Sequence, residues 1–349
     1  ESPLYTWQVP TNTIFSSNCS TLPKTYVPDN QFEAYLENNG MGDGVSNNDY
    51  VYTHNINTVT SLDVDNKYIS DLTGIEDFSS LTSLNCSFNL LTSLDLGTNS
   101  SLTYLNCQEN DLTNLNLTGC VNLNNLNCET NLLTSLDLTQ NVNLTILYAY
   151  NNPLNSLDLT QNISLNNLWV SGTNFTSIDL SQNTVLTTIY ANNSSLVSLD
   201  LSNNLSLQYL RAYDSPDLSS LDLRNITLTP SLTFELGWSL PNLHCIDVDN
   251  PSLADSLNNL SSSWNFASGI VFSTDCSSEY GCTDPAACNY LSTATIDNGQ
   301  CILTNCVRNI TQDTYEANIQ LAIDASVNGD TLIASSGTYT ENINFNGKG

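Results

Sequence analysis

"LNNLNCETNLLTSLDLTQNVN", residues 123–143, holds two short alternations of apolar and polar residues, "LNNLNC" and "LLTSLDL", each followed by a polar stretch ending in Asn. Alternation with period two marks a half-buried strand. The same frame precedes it in "LTSLNCSFNLLTSLDLGTNSS" from Leu81 and "LTYLNCQENDLTNLNLTGCVN" from Leu102. It follows in "LTILYAYNNPLNSLDLTQNIS" from Leu144, "LNNLWVSGTNFTSIDLSQNTV" from Leu165 and "LTTIYANNSSLVSLDLSNNLS" from Leu186. Starts fall every 21 residues, a variant unit occupies 59–80, and a longer one begins at Leu207. So strict a period implies one supersecondary unit repeated by stacking.

The alternation gives each side chain a direction. Leu84, Leu105, Leu126, Leu147, Leu168, Ile189 and Leu210 face inward, as do Cys86, Cys107, Cys128, Ala149, Val170, Ala191 and Ala212. The three stacked cysteines then read as small core residues rather than ligands. Asn89, Asn110, Asn131 and Asn152 are expected to form one internal amide ladder, and Asn99, Asn141, Asn162, Asn183 and Asn204 another. Cys120 takes an Asn place in the second column, for which the sequence offers no reason.

The LxxLxLxxNxL core resembles a leucine-rich repeat of a bacterial 21-residue class whose second half echoes the first as LxxLDLxxN. The resemblance covers about half the chain. Residues and resemblance together give a mostly β leucine-rich-repeat solenoid of 21-residue coils with two short strands per coil. It is capped by a short N-terminal helix and a disulfide-tied C-terminal cap.

Between the inward pairs of the first strand stands an outward column: Asn85, Asn106, Asn127, Tyr148, Trp169, Tyr190, Arg211. It changes from amide to aromatic at "LYAYNN" (147–152), and Tyr104, Tyr150, Tyr209 and Tyr213 flank it. These eight residues, Tyr104, Tyr148, Tyr150, Trp169, Tyr190, Tyr209, Arg211 and Tyr213, are the candidate ligand-binding set. Sheet stabilisation by cross-strand ring pairs is the competing reading. The second strand presents Asp95, Asn116, Asp137, Asp158, Asp179, Asp200 and Asp222. At a spacing of about 4.8 Å, neighbouring carboxylates repel by roughly 0.9 kcal/mol in water. Hydrogen bonds from Ser93, Ser135, Ser156, Ser177, Ser198 and Ser220, with counter-ions, are expected to offset this.

Against 35 acidic residues stand 6 Lys and Arg, so the net charge of −29 repels nucleic acid and anionic membrane and leaves cations, neutral glycans or basic proteins as partners. No apolar run is long enough to span a bilayer. The opening at Glu1, without a leader, fits a cytosolic or a mature secreted chain. Cysteine placement favours secretion: Cys276, Cys282, Cys288, Cys301 and Cys306 crowd a Gly/Asp/Asn-rich stretch where disulfides replace a core.

The flanks carry further resemblances. After an extension over 1–24, "VPDNQFEAYLENNG" places Asp29 as the cap of a short helix carrying Phe32, Tyr35 and Leu36, and resembles the N-terminal cap (25–58) of secreted flavobacterial repeat proteins. Asp43 and Asp49 in the loop that follows read as plain turn residues rather than calcium ligands. After the repeats (59–228), residues 229–278 look like the family's C-terminal cap, in which Cys245 and Cys276 would be joined. Residues 279–306 resemble a "GCTDPxAxNYxxxATxDDGxC" module of Bacteroidetes, with three pairings open to Cys282, Cys288, Cys301 and Cys306 and with Asp284, Asp297 and Asn298 as candidate calcium ligands. No other cofactor is expected. Residues 307–349 resemble the start of a pectin-lyase-like β-helix, expected to be loosely ordered and to lack that family's catalytic carboxylates. The expected function is that of a non-enzymatic, secreted or cell-surface monomer that recognises a protein or glycan. The alternatives are an accessory part of a polysaccharide-degrading protein, or a rigid adhesin binding cations, ice or a surface.

Overall fold

The computed structural model describes residues 22–349 except 238, 261–262, 267–269, 277–279, 286, 288, 293, 295, 298–300, 305, 313, 317, 346 and 348–349. It divides into two units, Glu1–Leu154 and Asn155–Gly349. Most of the N-terminal extension, Cys19 included, lies outside the described residues.

In the first unit, Asp29 caps the helix Asn30–Asn38, accepting from the Gln31 and Phe32 amides at 2.9 and 3.0 Å. Its other oxygen accepts from the Ser70 amide and hydroxyl, both at 2.8 Å, so one carboxylate ties the helix to the first coil. Burial pushes that carboxyl upward, but the bonds from Ser70, Phe32 and Gln31 outweigh it and hold it below the ordinary value. Phe32 and Leu36 are fully buried, Phe32 against Phe78. Lys24–Tyr26 and Tyr50–Tyr52 form an antiparallel pair beside the helix. Asp43 is a turn residue, bonded to the Lys24 ammonium, the Val45 amide and the Asn48 side chain.

One strand per coil then builds a parallel sheet: Ser61–Asp63, Ser83–Asn85, Tyr104–Asn106, Asn125–Asn127 and Ile146–Tyr148. Leu84, Leu105, Leu126 and Leu147, with Cys86, Cys107, Cys128 and Ala149, are fully buried. Burial pushes the Cys86 and Cys128 thiols up to about 12, so all three stacked cysteines stay neutral core residues. The first Asn ladder is regular. Asn131 donates to the carbonyls of Cys107, Cys128 and Glu129 at 3.0–3.1 Å and accepts from the Leu112 amide at 3.0 Å. Asn110 and Asn152 repeat the pattern one coil away on either side. In the second ladder Asn141 donates to the Leu117 and Cys120 carbonyls at 3.1 and 2.9 Å. Cys120 fits there because its buried Sγ donates to the Leu96 carbonyl at 3.2 Å, the bond an amide makes elsewhere in the column.

In the second unit the first-strand sheet runs Asn167–Trp169, Thr188–Tyr190, Tyr209–Arg211, Thr233–Leu236 and Trp264–Phe266, all parallel. A second parallel sheet joins Ser198–Asp200, Ser220–Asp222, Cys245–Asp247 and Val271–Ser273. Coil-like pairing therefore continues past residue 228, where the sequence suggested that a cap begins. Phe234, Trp264, Phe266 and Phe272 pack edge to face over the last coils, where leucines give way to rings. The Cys245–Cys276 bridge is present, as is Cys282–Cys301, and Cys306 is disulfide-bonded too, while Cys288 lies outside the described residues. Thr173 and Ser194 continue the first ladder with hydroxyls, each donating to the carbonyl three residues back at 2.8 Å.

Three expectations need correction. The second strand is absent from Ser135–Asp137, Ser156–Asp158 and Ser177–Asp179, although Leu136, Leu138, Leu157, Leu159 and Leu180 remain buried. It survives where Asn116 donates to Asp95 at 2.8 Å, and where Arg224 binds Asp222. Directly opposed like charges weaken a ladder, and Asp158 is seen by Asp179 as a repelling neighbour. Among the described residues, the donors found at these carboxylates also stand further along the chain than the expected Ser135, Ser156, Ser177 and Ser198. They are the residues two positions on: Thr139 to Asp137, Thr160 to Asp158, Ser181 to Asp179 and Ser202 to Asp200, as in Asx turns. Finally, described residues between 307 and 345 hold defined structure. Val307–Asn309 pairs antiparallel with both Thr314–Glu316 and Leu332–Ala334, and the helix Ile319–Ala325 is capped by Asn318. The segment pairs with itself, so it does not need the following coils of a β-helix.

Candidate functional site

The first strands place alternate side chains on the outer face, and strict in-register pairing puts Trp169 opposite Tyr190, Tyr190 opposite Arg211, and Arg211 opposite Glu235. The Trp169 and Tyr190 rings stack at 4.4 Å with planes 16° apart. Tyr209 tilts against Tyr190 at 5.1 Å. The Arg211 guanidinium lies 4.5 Å from the Tyr190 ring centre and 5.7 Å from that of Tyr213, a cation over aromatic faces. All five side chains are half-buried, packed on one another at the surface of the second unit.

Glu235 fixes the cluster. Its carboxylate accepts from Arg211 Nε at 2.7 Å and from the Tyr209 hydroxyl, while Arg211 Nη2 donates to that hydroxyl at 3.0 Å. Burial acts upward on Glu235, but the bond from Arg211 and then that from Tyr209 bring it below the ordinary value. Burial, followed by the bond to Glu235, raises Tyr209. The bond to Glu235 also raises Arg211. Arg211 is therefore a neutralised, oriented cation rather than a bare one. Glu235 falls outside the 21-residue column legible in the sequence because the coil after Arg211 is 24 residues long. The signal was present in Phe234 and Leu236 alternating inward on either side.

Tyr104, Tyr148 and Tyr150 belong to the first unit. Tyr148 ends the strand Ile146–Tyr148, and Tyr104 begins a strand two ladders away, 37% exposed. Tyr150 is raised by burial and by its bond to Glu129. Tyr104 thus stands apart, whereas Trp169, Tyr190, Tyr209, Arg211 and Tyr213 are brought together. Among the described residues no group of three His, Cys, Asp or Glu is disposed to hold a metal. Of the candidate calcium ligands, Asn298 and the Asp297 side chain lie outside the description, and the Asp284 carbonyl closes a turn with the Ala287 amide at 2.9 Å.

Fold and surface together define a leucine-rich-repeat solenoid, mostly β, acidic and disulfide-containing. No protein-family model matches the chain. It is similar to Internalin J of Listeria monocytogenes serotype 4b, 44% identical over 52 residues, which are 15% of this chain and 6% of that protein. Among solved structures it is similar to the functional domain of InlJ from Listeria monocytogenes, which includes a cysteine ladder. That match has 30% identity and a TM-score of 0.45, and covers 66% of this chain and 58% of that one. It is similar also to an internalin, inlF, from the same species, with 22% identity and a TM-score of 0.49 over 73% of this chain and 87% of that one. The chain thus spans 6% of the curated relative and 58% of the solved InlJ domain.

Proposed function

We propose that this is a non-enzymatic recognition protein of an oxidising, extracytoplasmic setting, which binds a protein partner through the first-strand face of its second unit. The observation that carries the reading is the ordered ring cluster. Trp169, Tyr190, Tyr209 and Tyr213 are half-exposed, and Arg211 with Glu235 holds them in place before any ligand arrives. Prefixed aromatic side chains lose little entropy on binding and dominate protein interfaces. A glycan is favoured less, because sugar stacking needs an open ring face and Trp169 and Tyr190 cover each other's. The disulfides support the compartment. No helix among the described residues is long and apolar enough to cross a membrane.

The test is to screen the chain against arrays of extracellular proteins and of glycans, in parallel with Tyr190→Ala and Asp179→Asn. A protein ligand weakened about tenfold or more by Tyr190→Ala and left unchanged by Asp179→Asn is the expected result. Glycan hits alone, or protein hits indifferent to Tyr190, would overturn it.

A further inference from the structure

The second ladder of the first unit stops at two strands. Ser93–Asp95 pairs with Asn114–Asn116, and the sheet contains these two members. Leu94 stands opposite Leu115, and the Leu96 amide donates to the Asn116 carbonyl at 3.0 Å. In a parallel pair this parity turns the backbone groups of Leu94 and Leu96 toward Asn114–Asn116. Those of Ser93 and Asp95 face the other way, toward the preceding coil.

That coil brings no strand to meet them. It turns at Asp71, whose carboxylate accepts from the Thr73 amide at 2.8 Å, passes Gly74 at φ 102°, and enters the 3-10 turn Ile75–Asp77. Gly74 makes this path obligatory: its backbone lies in the left-handed region, and a Cβ there would sit 2.8 Å from the Tyr26 carbonyl oxygen. Between the turn and the open strand edge lies a cavity of about 420 Å³, with Leu72, Ile75 and Leu94 among its lining and with Asp71, Glu76 and Asp95 around them. Each of these carboxylates uses one oxygen for local bonds, among them those to Thr73, Gly74 and Gly97 respectively. The second oxygen of each has no hydrogen-bond partner among the described residues.

We propose that this cavity takes an extended peptide segment with Lys or Arg at alternate positions, added to the free edge of Ser93–Asp95 as a third strand. An open edge supplies main-chain donors and acceptors to an incoming strand. Charge chooses which strand. Three carboxylates and no basic side chain line the cavity, so an acidic peptide is repelled and a basic one drawn in. Period two does the rest: side chains on the Ser93 and Asp95 side meet the carboxylates, and the alternate set lies over Leu72 and Leu94. The edge is about 10 Å long, which limits the added strand to roughly three residues in register. The proposal is independent of the ring cluster of the second unit.

Fluorescence anisotropy with the whole chain tests it, using a peptide of about eight alternating Lys and Val residues, enough to overhang the edge at both ends. Its Glu–Val counterpart and a backbone N-methylated Lys–Val peptide are the controls. The Lys–Val peptide is expected to bind, and both controls to bind at least about tenfold more weakly. Ser93→Pro removes an edge donor without touching the ladder bonds. Glu76→Gln with Asp95→Asn removes two of the three charges while leaving that backbone donor in place. Both variants should weaken the Lys–Val peptide, with circular dichroism confirming that they remain folded. Equal binding of the N-methylated peptide would show attraction by charge alone and overturn the proposal. So would undiminished binding to both variants, or no binding of the Lys–Val peptide at all.

Discussion

At the scale of single residues, the buried amides and the Arg211–Glu235 pair matter most. The buried Asn131 donates to three carbonyls and accepts from one amide. Asn131→Ala leaves the Leu112 amide without a partner and takes one of two donors from each carbonyl, the other donors being Asn110, Asn152 and the Glu109 amide, and should cost about 1–3 kcal/mol in urea unfolding. Cys120 makes one bond where Asn141 makes two. Cys120→Asn is therefore expected to raise the unfolding midpoint, since the new amide can also reach the Asn99 carbonyl; a fall would show that the thiol is kept for its volume. Glu235 has a folded-state pKa below its ordinary value, so its stabilising effect is fully present above that value, near pH 4.3, and is lost as pH falls through the lower folded value. Wild type should exceed Glu235→Gln in stability at neutral pH, and the gap should close in acid. A gap independent of pH would mean that the carboxylate's charge is not what holds Arg211.

At the scale of elements, the coil was legible because its period and its alternation agree, and each inward position read from the first strands is buried. The backbone of the turns was not legible. Phe88, Glu109 and Thr130 all adopt positive φ, at 54°, 52° and 51°, in places where neither side chain nor spacing announces it. What imposes the conformation is the residue that follows, because Asn89, Asn110 and Asn131 must swing inward to reach carbonyls of the coil before. The interruption of the second strand was equally hidden, since "SLDL" reads the same in paired and unpaired coils. Opposed carboxylates occur in the unpaired coils, as Asp158 beside Asp179, and in the paired ones, as Asp200 opposite Asp222, where Arg224 binds Asp222, so a substitution is needed to separate charge from coil geometry. Asp179→Asn places an amide donor beside Asp158, as Asn116 stands beside Asp95, and should raise the urea midpoint at low ionic strength. The gain should shrink at about 1 M salt, where exposed charges are screened. A gain insensitive to salt would point to amide geometry instead.

At the scale of the whole molecule, a net charge of −29 spread over repeats means that stability is neither high everywhere nor uniform. Each coil bonds chiefly to its neighbours, so opening starts where a neighbour is missing or weakly held. The Cys245–Cys276 bridge acts at such a place, joining the strand Cys245–Asp247 to the segment that follows Val271–Ser273 across a 31-residue separation. Closing a loop of that length is worth about 3–4 kcal/mol. The ring cluster of Phe234, Trp264, Phe266 and Phe272 rests on the same coils and should loosen with it. Replacing both cysteines by Ala is therefore expected to speed hydrogen exchange in Trp264–Phe266 and Val271–Ser273 while Asn167–Trp169 and Thr188–Tyr190 keep their protection. The opening should be larger at low salt, because Asp222, Asp247 and Asp249 crowd the released strands. If protection instead fell equally throughout the second unit, the coils would be one cooperative block, and the bridge would act on the denatured chain rather than on a fraying end.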